Sequence, residues 1–189
     1  MTDTSHPIGV PEHSDAGEGL RIECYIRPDV SRASLRQIKA IQERLQALSE
    51  TSLVAQIEVK RWPPKHDAEI ETVEAASERD RQVSEFERWA QQHDCTLEPA
   101  FQRRHLSSSV LGPDEPREEI CVPTVTLALY EEDEATPHGV VPYTTEQGTE
   151  IERIYTVDDW LTAAEQTATT ATTGSDPNQD LAGADTGSQ

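Results

Sequence analysis

The chain has 189 residues, of which 36 are acidic and 16 basic, so its formal net charge is −20, and aromatic residues make up only 5%. This length fits one domain with short tails, and no apolar run reaches the roughly 18 residues that a membrane-spanning helix needs. The first residues, MTDTSHPIGVPEHSDAGEG, lack a basic region followed by an apolar one, so no signal peptide and a cytoplasmic location are predicted.

The surplus of carboxylates indicates adaptation to salt. Self-repulsion at such a charge opposes the compact state, but in molar salt the Debye length falls to about 3 Å and the repulsion is screened. Lysine is scarce beside arginine, and large apolar residues are few. Together these features favour a halophilic protein. The alternative is an ordinary acidic protein with disordered tails.

The first predicted unit is strand, helix, strand. Residues 20–26, LRIECYI, alternate apolar and polar side chains, which predicts a half-buried strand. Residues 31–50 repeat apolar side chains every three or four positions and predict an amphipathic helix capped by Ser31 or Ser34. Residues 53–62 alternate again, and Trp62 closes that strand before two prolines. A crossover of this length predicts parallel strands.

The second half predicts more strands than helices. A helix is predicted at 79–93 from the apolar stripe that contains Phe86 and Trp89. CTLEPAFQRRHL (95–106) predicts an edge strand, and EICVPTVTLALYEEDE (119–134) predicts one long strand with a bulge at Pro123. VVPY and EIERIYT predict short strands. In TVDDWLTAAEQ (156–166) a helix begins, with Thr156 and Asp159 close to a capping box.

This order predicts an α+β fold. It reads β-α-β-α-β-β with a short C-terminal helix, and the economical arrangement is a mixed sheet with two helices on one face, similar to ferredoxin-like folds. A single domain is predicted at 20–166. Residues 1–19 and 167–189 are predicted to be disordered tails, because their composition is too poor in apolar groups to offset the entropy of ordering.

The candidate binding residues are Arg103, Arg104 and His105, together with Trp62 and His66. Loops and strand ends on a rigid scaffold are where binding residues concentrate, and two arginines beside a histidine can contact an anion or a nucleic acid. The competing interpretation is that the arginines are counter-charges on a carboxylate-rich surface. Residues 98–112 carry a local charge of only about +1, which favours the counter-charge interpretation.

Familiar catalytic and metal-binding motifs do not occur in the sequence. The three cysteines form no CxxC pair and the six histidines no HxH or HxxxH pair, so neither a disulfide framework nor a metal site is predicted. There is no phosphate loop and no GxSxG motif, so no cofactor and no catalytic residue are predicted.

Several blocks of the chain resemble a known family. ECYIRPDVSRAS, WPPKH, FERWAQQHDCTLEPAF, VPTVTLALYE and RIYTVDDWL are similar to small haloarchaeal proteins labelled as containing a helix-turn-helix domain, over most of residues 20–165. The resemblance implies DNA binding and a haloarchaeal cytoplasm. It implies no activity, cofactor or catalytic residue.

The sequence therefore favours a halophilic cytoplasmic protein that acts by binding a protein or small molecule, as a regulatory or adaptor module without evident catalysis. Two alternatives stay open. One is the DNA-binding transcriptional regulator that the resemblance implies, and the other is an enzyme that acts on a small molecule in a pocket beside the sheet. Homodimerisation through an exposed strand edge is compatible with the first interpretation.

Overall fold

The computed structural model describes residues 7–10, 19–63, 73–106, 117–131, 134–147 and 150–173. Its helices and strands, in chain order, are β1 (Leu20–Ile26), α1 (Arg32–Ser49), β2 (Val54–Arg61), α2 (Val73–Gln92), β3 (Cys95–Thr96), β4 (Gln102–Leu106), β5 (Arg117–Cys121), β6 (Val125–Tyr130), β7 (Gly139–Val141), β8 (Tyr143–Gln147), β9 (Glu150–Tyr155) and α3 (Val157–Thr173). Within the described ranges, no helix is long and apolar enough to cross a membrane.

The main sheet has four strands in the order β2-β1-β6-β7. Strands β1 and β2 are parallel, as the length of the helical crossover predicts, and β6 and β7 add in antiparallel fashion. Two smaller sheets, β3-β8-β9 and β4-β5, complete the strand pairing of the described residues. The α+β class is therefore confirmed, and the sheet is mixed.

Helices cover both faces of the main sheet, which differs from the predicted arrangement. Phe86 of α2 meets Tyr25 edge-on, with ring centroids 5.8 Å apart. Ile22 and Cys24 alternate to the opposite face, where both are completely buried; there α1 and α3 contact each other, α1 also contacts β2, and α3 contacts β6. The physical reason is that β6 is buried at every residue, and a strand buried on both faces needs a layer on each side.

The predicted ferredoxin-like order is not confirmed. Seven strands, β3 to β9, separate α2 from α3. Residues 119–134 do not form one bulged strand, because β5 ends at Cys121 and pairs with β4, whereas β6 begins at Val125 and pairs with β1. Residues 95–106 do not form one strand either, because the chain turns between β3 and β4 and the Phe101 N–H donates to Leu97 O at 3.0 Å.

The caps of α1 and α3 follow local sequence. Ser31 caps α1 by accepting a hydrogen bond from the Ser34 N–H at 3.1 Å. At α3, the Asp159 N–H donates to Thr156 Oγ1 at 3.2 Å, and the Thr156 N–H donates to Asp159 Oδ2 at 2.9 Å. This is the reciprocal capping box that the sequence predicts, with Asp in place of the usual Glu or Gln.

Part of the segment predicted to be a disordered N-terminal tail lies against the core. The Ile8 N–H donates to the Tyr143 hydroxyl at 2.8 Å, and Gly9 has φ +80°, with its Cα close to Gly139. Val10 belongs to the buried core. The other tail residues, 1–6, 11–18 and 174–189, lie outside the described residues, and α3 extends to Thr173, beyond the predicted boundary at 166.

Candidate functional site

The β4 arginines face carboxylates. The Arg103 guanidinium donates to both carboxylate oxygens of Glu87 on α2, from Nε at 3.1 Å and from a terminal nitrogen at 2.8 Å. Arg104 lies opposite Glu119 in the β4–β5 ladder and donates to the Gln102 side chain at 3.3 Å. His105 occupies the next position of β4, opposite Glu118. The geometry of the arginine pair matches the counter-charge interpretation.

Trp62 lies in the interior of the protein. It is 1% exposed, and its ring centroid lies 4.8 Å from that of Tyr25, 6.1 Å from Phe86 and 6.2 Å from Phe101. Edge-to-face contacts of this kind are typical of an aromatic core. His66 lies outside the described residues. The structure therefore separates Trp62 in the core from the arginines on the surface, and does not bring them together.

A pocket of about 420 Å³ opens at the end of β2. The cations on its lining are Lys60, Arg61 and Arg81. Lys60 is engaged, because its Nζ lies 2.8 Å from a carboxylate oxygen of the buried Glu23. Trp62 Nε1 and Gln82 Nε2 are buried without a hydrogen-bond partner among the described residues.

The thiols and the acidic and histidine side chains form no reactive cluster in the described ranges. No group of three or more His, Cys, Asp or Glu residues there is placed to hold a metal ion. Burial raises the pKa of the Cys24 and Cys95 thiols to about 11, so both are protonated at neutral pH. Thiols in that state are poor nucleophiles.

None of the candidate binding residues lies on α1, although the outward face of this helix is basic. Arg32, Arg36 and Lys39 are all exposed on this helix, and no acidic residue occurs from residue 30 to residue 42. At 3.6 residues per turn these three lie along one side, opposite the buried stripe of Ile38, Ile41, Leu45 and Leu48. Toward the end of the helix the same side continues with Glu43, which lies 3.5 Å from Lys39, and Gln46.

Charge distinguishes α1 from the other two described helices. It carries four basic residues and one acidic residue, a net charge of +3. Helix α2 carries three basic and five acidic residues, and α3 carries three acidic residues and no basic one. A charge count over successive windows would have found α1, because a positive helix is unusual in a chain whose net charge is −20.

A comparison with protein-family models matches residues 14–169 to a family described as “Helix-turn-helix domain”. No curated protein and no solved structure matches the chain. Among the described elements, β2 lies between α1 and α2, and strands β3 to β9 lie between α2 and α3. Within the described ranges, therefore, no two successive helices are joined directly by a short turn.

Proposed function

Because the chain belongs to the Helix-turn-helix domain family, we propose that it is a DNA-binding regulator that places the outward face of α1 against double-stranded DNA. The observation that carries the proposal is the basic outward side of α1, where Arg32, Arg36 and Lys39 are exposed beside a single acid, Glu43, within a chain of net charge −20. Duplex DNA carries a dense row of phosphates, and cationic side chains supply most of the sequence-independent affinity for it.

The side chains on this face suit the reading of bases as well as phosphates. Arginine and lysine bind the acceptor edge of guanine, and glutamine binds the edge of adenine, in the major groove. Arg32 and Arg36 lie one turn apart, and Gln46 lies on the same side further along. A helix of 18 residues is roughly 27 Å long, enough to follow a stretch of the groove.

The acidic remainder of the surface orients this contact. Carboxylates elsewhere repel phosphate, so a duplex approaches most favourably where α1 is presented. We also propose that the protein works in a halophilic cytoplasm, where salt screens the carboxylates. Phosphate contacts weaken steeply as salt rises, so contacts to base edges supply a larger share of the affinity there.

The test is to select duplexes from a random pool with the full chain at about 1 M KCl, where surface charge is strongly screened, and then to measure binding by fluorescence anisotropy. Replacing Arg36 by Gln on α1 is expected to weaken binding about tenfold, the loss of one base contact. The matched control is Arg88→Gln, an exposed arginine on the acidic helix α2. The proposal is overturned if no duplex is enriched, or if both variants bind like wild type.

The adaptor interpretation keeps one observation in its favour. Leu35 on α1 and Val59 on β2 are 53% and 51% exposed, and exposed apolar patches mark protein contacts. An adaptor is expected to retain its protein partner when Arg36 is replaced, and to enrich no duplex.

A further inference from the structure

The outer edge of β2 is open among the described residues. Strand β2 ends the main sheet, and in the described ranges only β1 pairs with it. Val59, near the end of β2, is 51% exposed, and Ile57 two residues earlier is only partly buried. An open strand edge is a template for pairing with another strand, and proteins block such edges unless they use them.

The direction of the backbone groups on β2 identifies which residues face outward. The Trp62 N–H donates to Ile26 O on β1 at 3.0 Å. Because backbone groups alternate in direction along a strand, those of Ile57, Val59 and Arg61 point away from β1. These three residues are placed symmetrically about Val59, so the same edge of a second chain can satisfy all of them.

Helix α1 places one exposed apolar side chain, Leu35, on the flank that faces the open edge of β2. Arg44 binds Glu165 and Asp158 of α3, so its flank of α1 faces α3. Leu35 is nine residues away, or two and a half turns, and therefore lies on the opposite flank, toward the β2 edge. It is 53% exposed. Leu35 and Val59 thus border one surface, which we call the β2 edge.

We propose that the β2 edge binds a second copy of this chain, through antiparallel pairing of β2 with the partner's β2 about a two-fold axis at Val59. This register sets Val59 against the partner's Val59 and Ile57 against the partner's Arg61. It also sets Glu58 against the partner's Lys60, twice by symmetry. Opposite charges directly across a strand pair are stabilising, whereas like charges are destabilising.

Charge complementarity favours a second copy as the occupant. Shifting the two-fold axis by one residue, to Glu58, would place the two Glu58 carboxylates opposite each other. With the axis at Val59, each Glu58 instead lies opposite the partner's Lys60, whose ammonium group also contacts Glu58 and Glu23 of its own chain. The strand itself carries Glu58, Lys60 and Arg61, a small positive charge, so this edge escapes the repulsion expected between other surfaces of two chains of charge −20.

The dimer has a consequence for DNA recognition, and this consequence rests on the proposed function. A two-fold axis in an antiparallel strand pair stands perpendicular to the sheet, so both α1 helices lie on the same face of the joined sheet. Their basic sides are then presented together, related by symmetry. Two-fold DNA-binding proteins match sites that are inverted repeats, so the selected duplexes are expected to contain inverted repeats.

The experiment measures the molar mass of the full chain by light scattering after gel filtration in molar KCl, without DNA. Wild type is expected at twice the chain mass of 21.0 kDa, and Val59→Asp at the mass of one chain. The matched control is Ile154→Asp, since Ile154 of β9 is also an exposed apolar residue, at 46%. This variant is expected to stay dimeric, and circular dichroism checks that both variants fold.

The proposal is overturned if wild type has the mass of one chain at every concentration. Binding of a different protein by that monomer would not rescue the proposal. It is also overturned if folded Val59→Asp remains dimeric, or if Ile154→Asp dissociates equally. A dimer that enriches no duplex would refute the proposed function and leave this inference standing. A monomer that binds duplex through Arg36 would refute this inference and leave the proposed function standing.

Discussion

Arg44 of α1 clasps Glu165 of α3 with two parallel hydrogen bonds, from Nε to one carboxylate oxygen at 2.7 Å and from a terminal nitrogen to the other at 2.9 Å. Asp158, two turns earlier in α3, lies 3.1 Å from the same guanidinium. The hydrogen bond and the charge of Arg44 hold the pKa of Glu165 below its ordinary value. This pairing holds one flank of α1 against α3, while the buried stripe of α1 faces the sheet and its basic side faces outward.

Replacing Glu165 by Gln is expected to lower the free energy of unfolding by about 0.5–1 kcal/mol, because a partly exposed bidentate pair is near the upper end for surface ion pairs. Urea denaturation in molar KCl measures it. The matched control is Glu43→Gln, since Glu43 and Lys39 lie 3.5 Å apart and both are largely exposed. An equal loss of unfolding free energy in both variants would contradict the role assigned to the Arg44–Glu165 pair.

Acid is expected to destabilise the protein through Glu23. Burial raises the pKa of Glu23, but hydrogen bonds from Lys60 and Tyr25 and the nearby charges of Lys60 and Arg21 outweigh burial and hold that pKa below its ordinary value. A depressed folded-state pKa contributes stability above the unfolded-state value, and that contribution is lost as pH falls through the folded-state value. The free energy of unfolding, measured from neutral pH to about pH 3, is therefore expected to fall on the acid side.

Glu23→Gln provides the check on that assignment. The amide does not titrate, so the acid-side slope is expected to be shallower than in wild type. Stability at neutral pH is expected to drop by about 1–3 kcal/mol, because Lys60 and Tyr25 lose a buried charged partner. An unchanged slope would show that other carboxylates, such as Asp159 in the α3 cap, dominate the acid transition.

Gly9→Ala is expected to detach the segment 7–10 from the core. Gly9 has φ +80°, and an added Cβ would lie 2.6 Å from a Leu129 methyl group and 3.2 Å from Gly139 Cα. Strain and overlap together are expected to cost about 1–3 kcal/mol. Amide exchange at Ile8 measures the detachment, since its N–H is bonded to the Tyr143 hydroxyl. Tyr143→Phe removes that bond alone and is expected to have a smaller effect.

Removal of salt is expected to unfold the chain gradually. At a net charge of −20 the carboxylates repel one another, and dilution lengthens the screening distance to about 30 Å at 0.01 M salt. Small-angle scattering during stepwise dialysis from molar KCl measures the radius of gyration, which is expected to rise. A chain that stays compact in dilute buffer would refute the halophilic assignment.

Local sequence predicted those parts of the fold that depend on near neighbours. The alternation in residues 20–26 and the stripe from Ile38 to Leu48 define β1 and α1, and the Thr156–Asp159 pair caps α3 as expected. These features depend on contacts within a few residues of the chain, where strand and helix periods are distinct.

The pairing of distant segments was not predictable in the same way. The sequence around residues 121–125 does not indicate that Cys121 ends a strand paired with β4, or that Val125 begins a strand paired with β1. The position of α2 on the Tyr25 face depends on packing between side chains far apart in sequence. The candidate site was predicted from the adjacent cations of β4. The cations of α1 are spread over two turns, so in the sequence they resemble the polar side of any amphipathic helix.

The most direct test of the account follows backbone amide chemical shifts of the labelled full chain while a selected duplex is added in molar KCl. The account predicts that the largest shift changes fall in α1, between Arg32 and Gln42. If α1 is unperturbed while the signals of β4 or of the pocket at the end of β2 move, the assignment of the DNA-binding face to α1 is wrong.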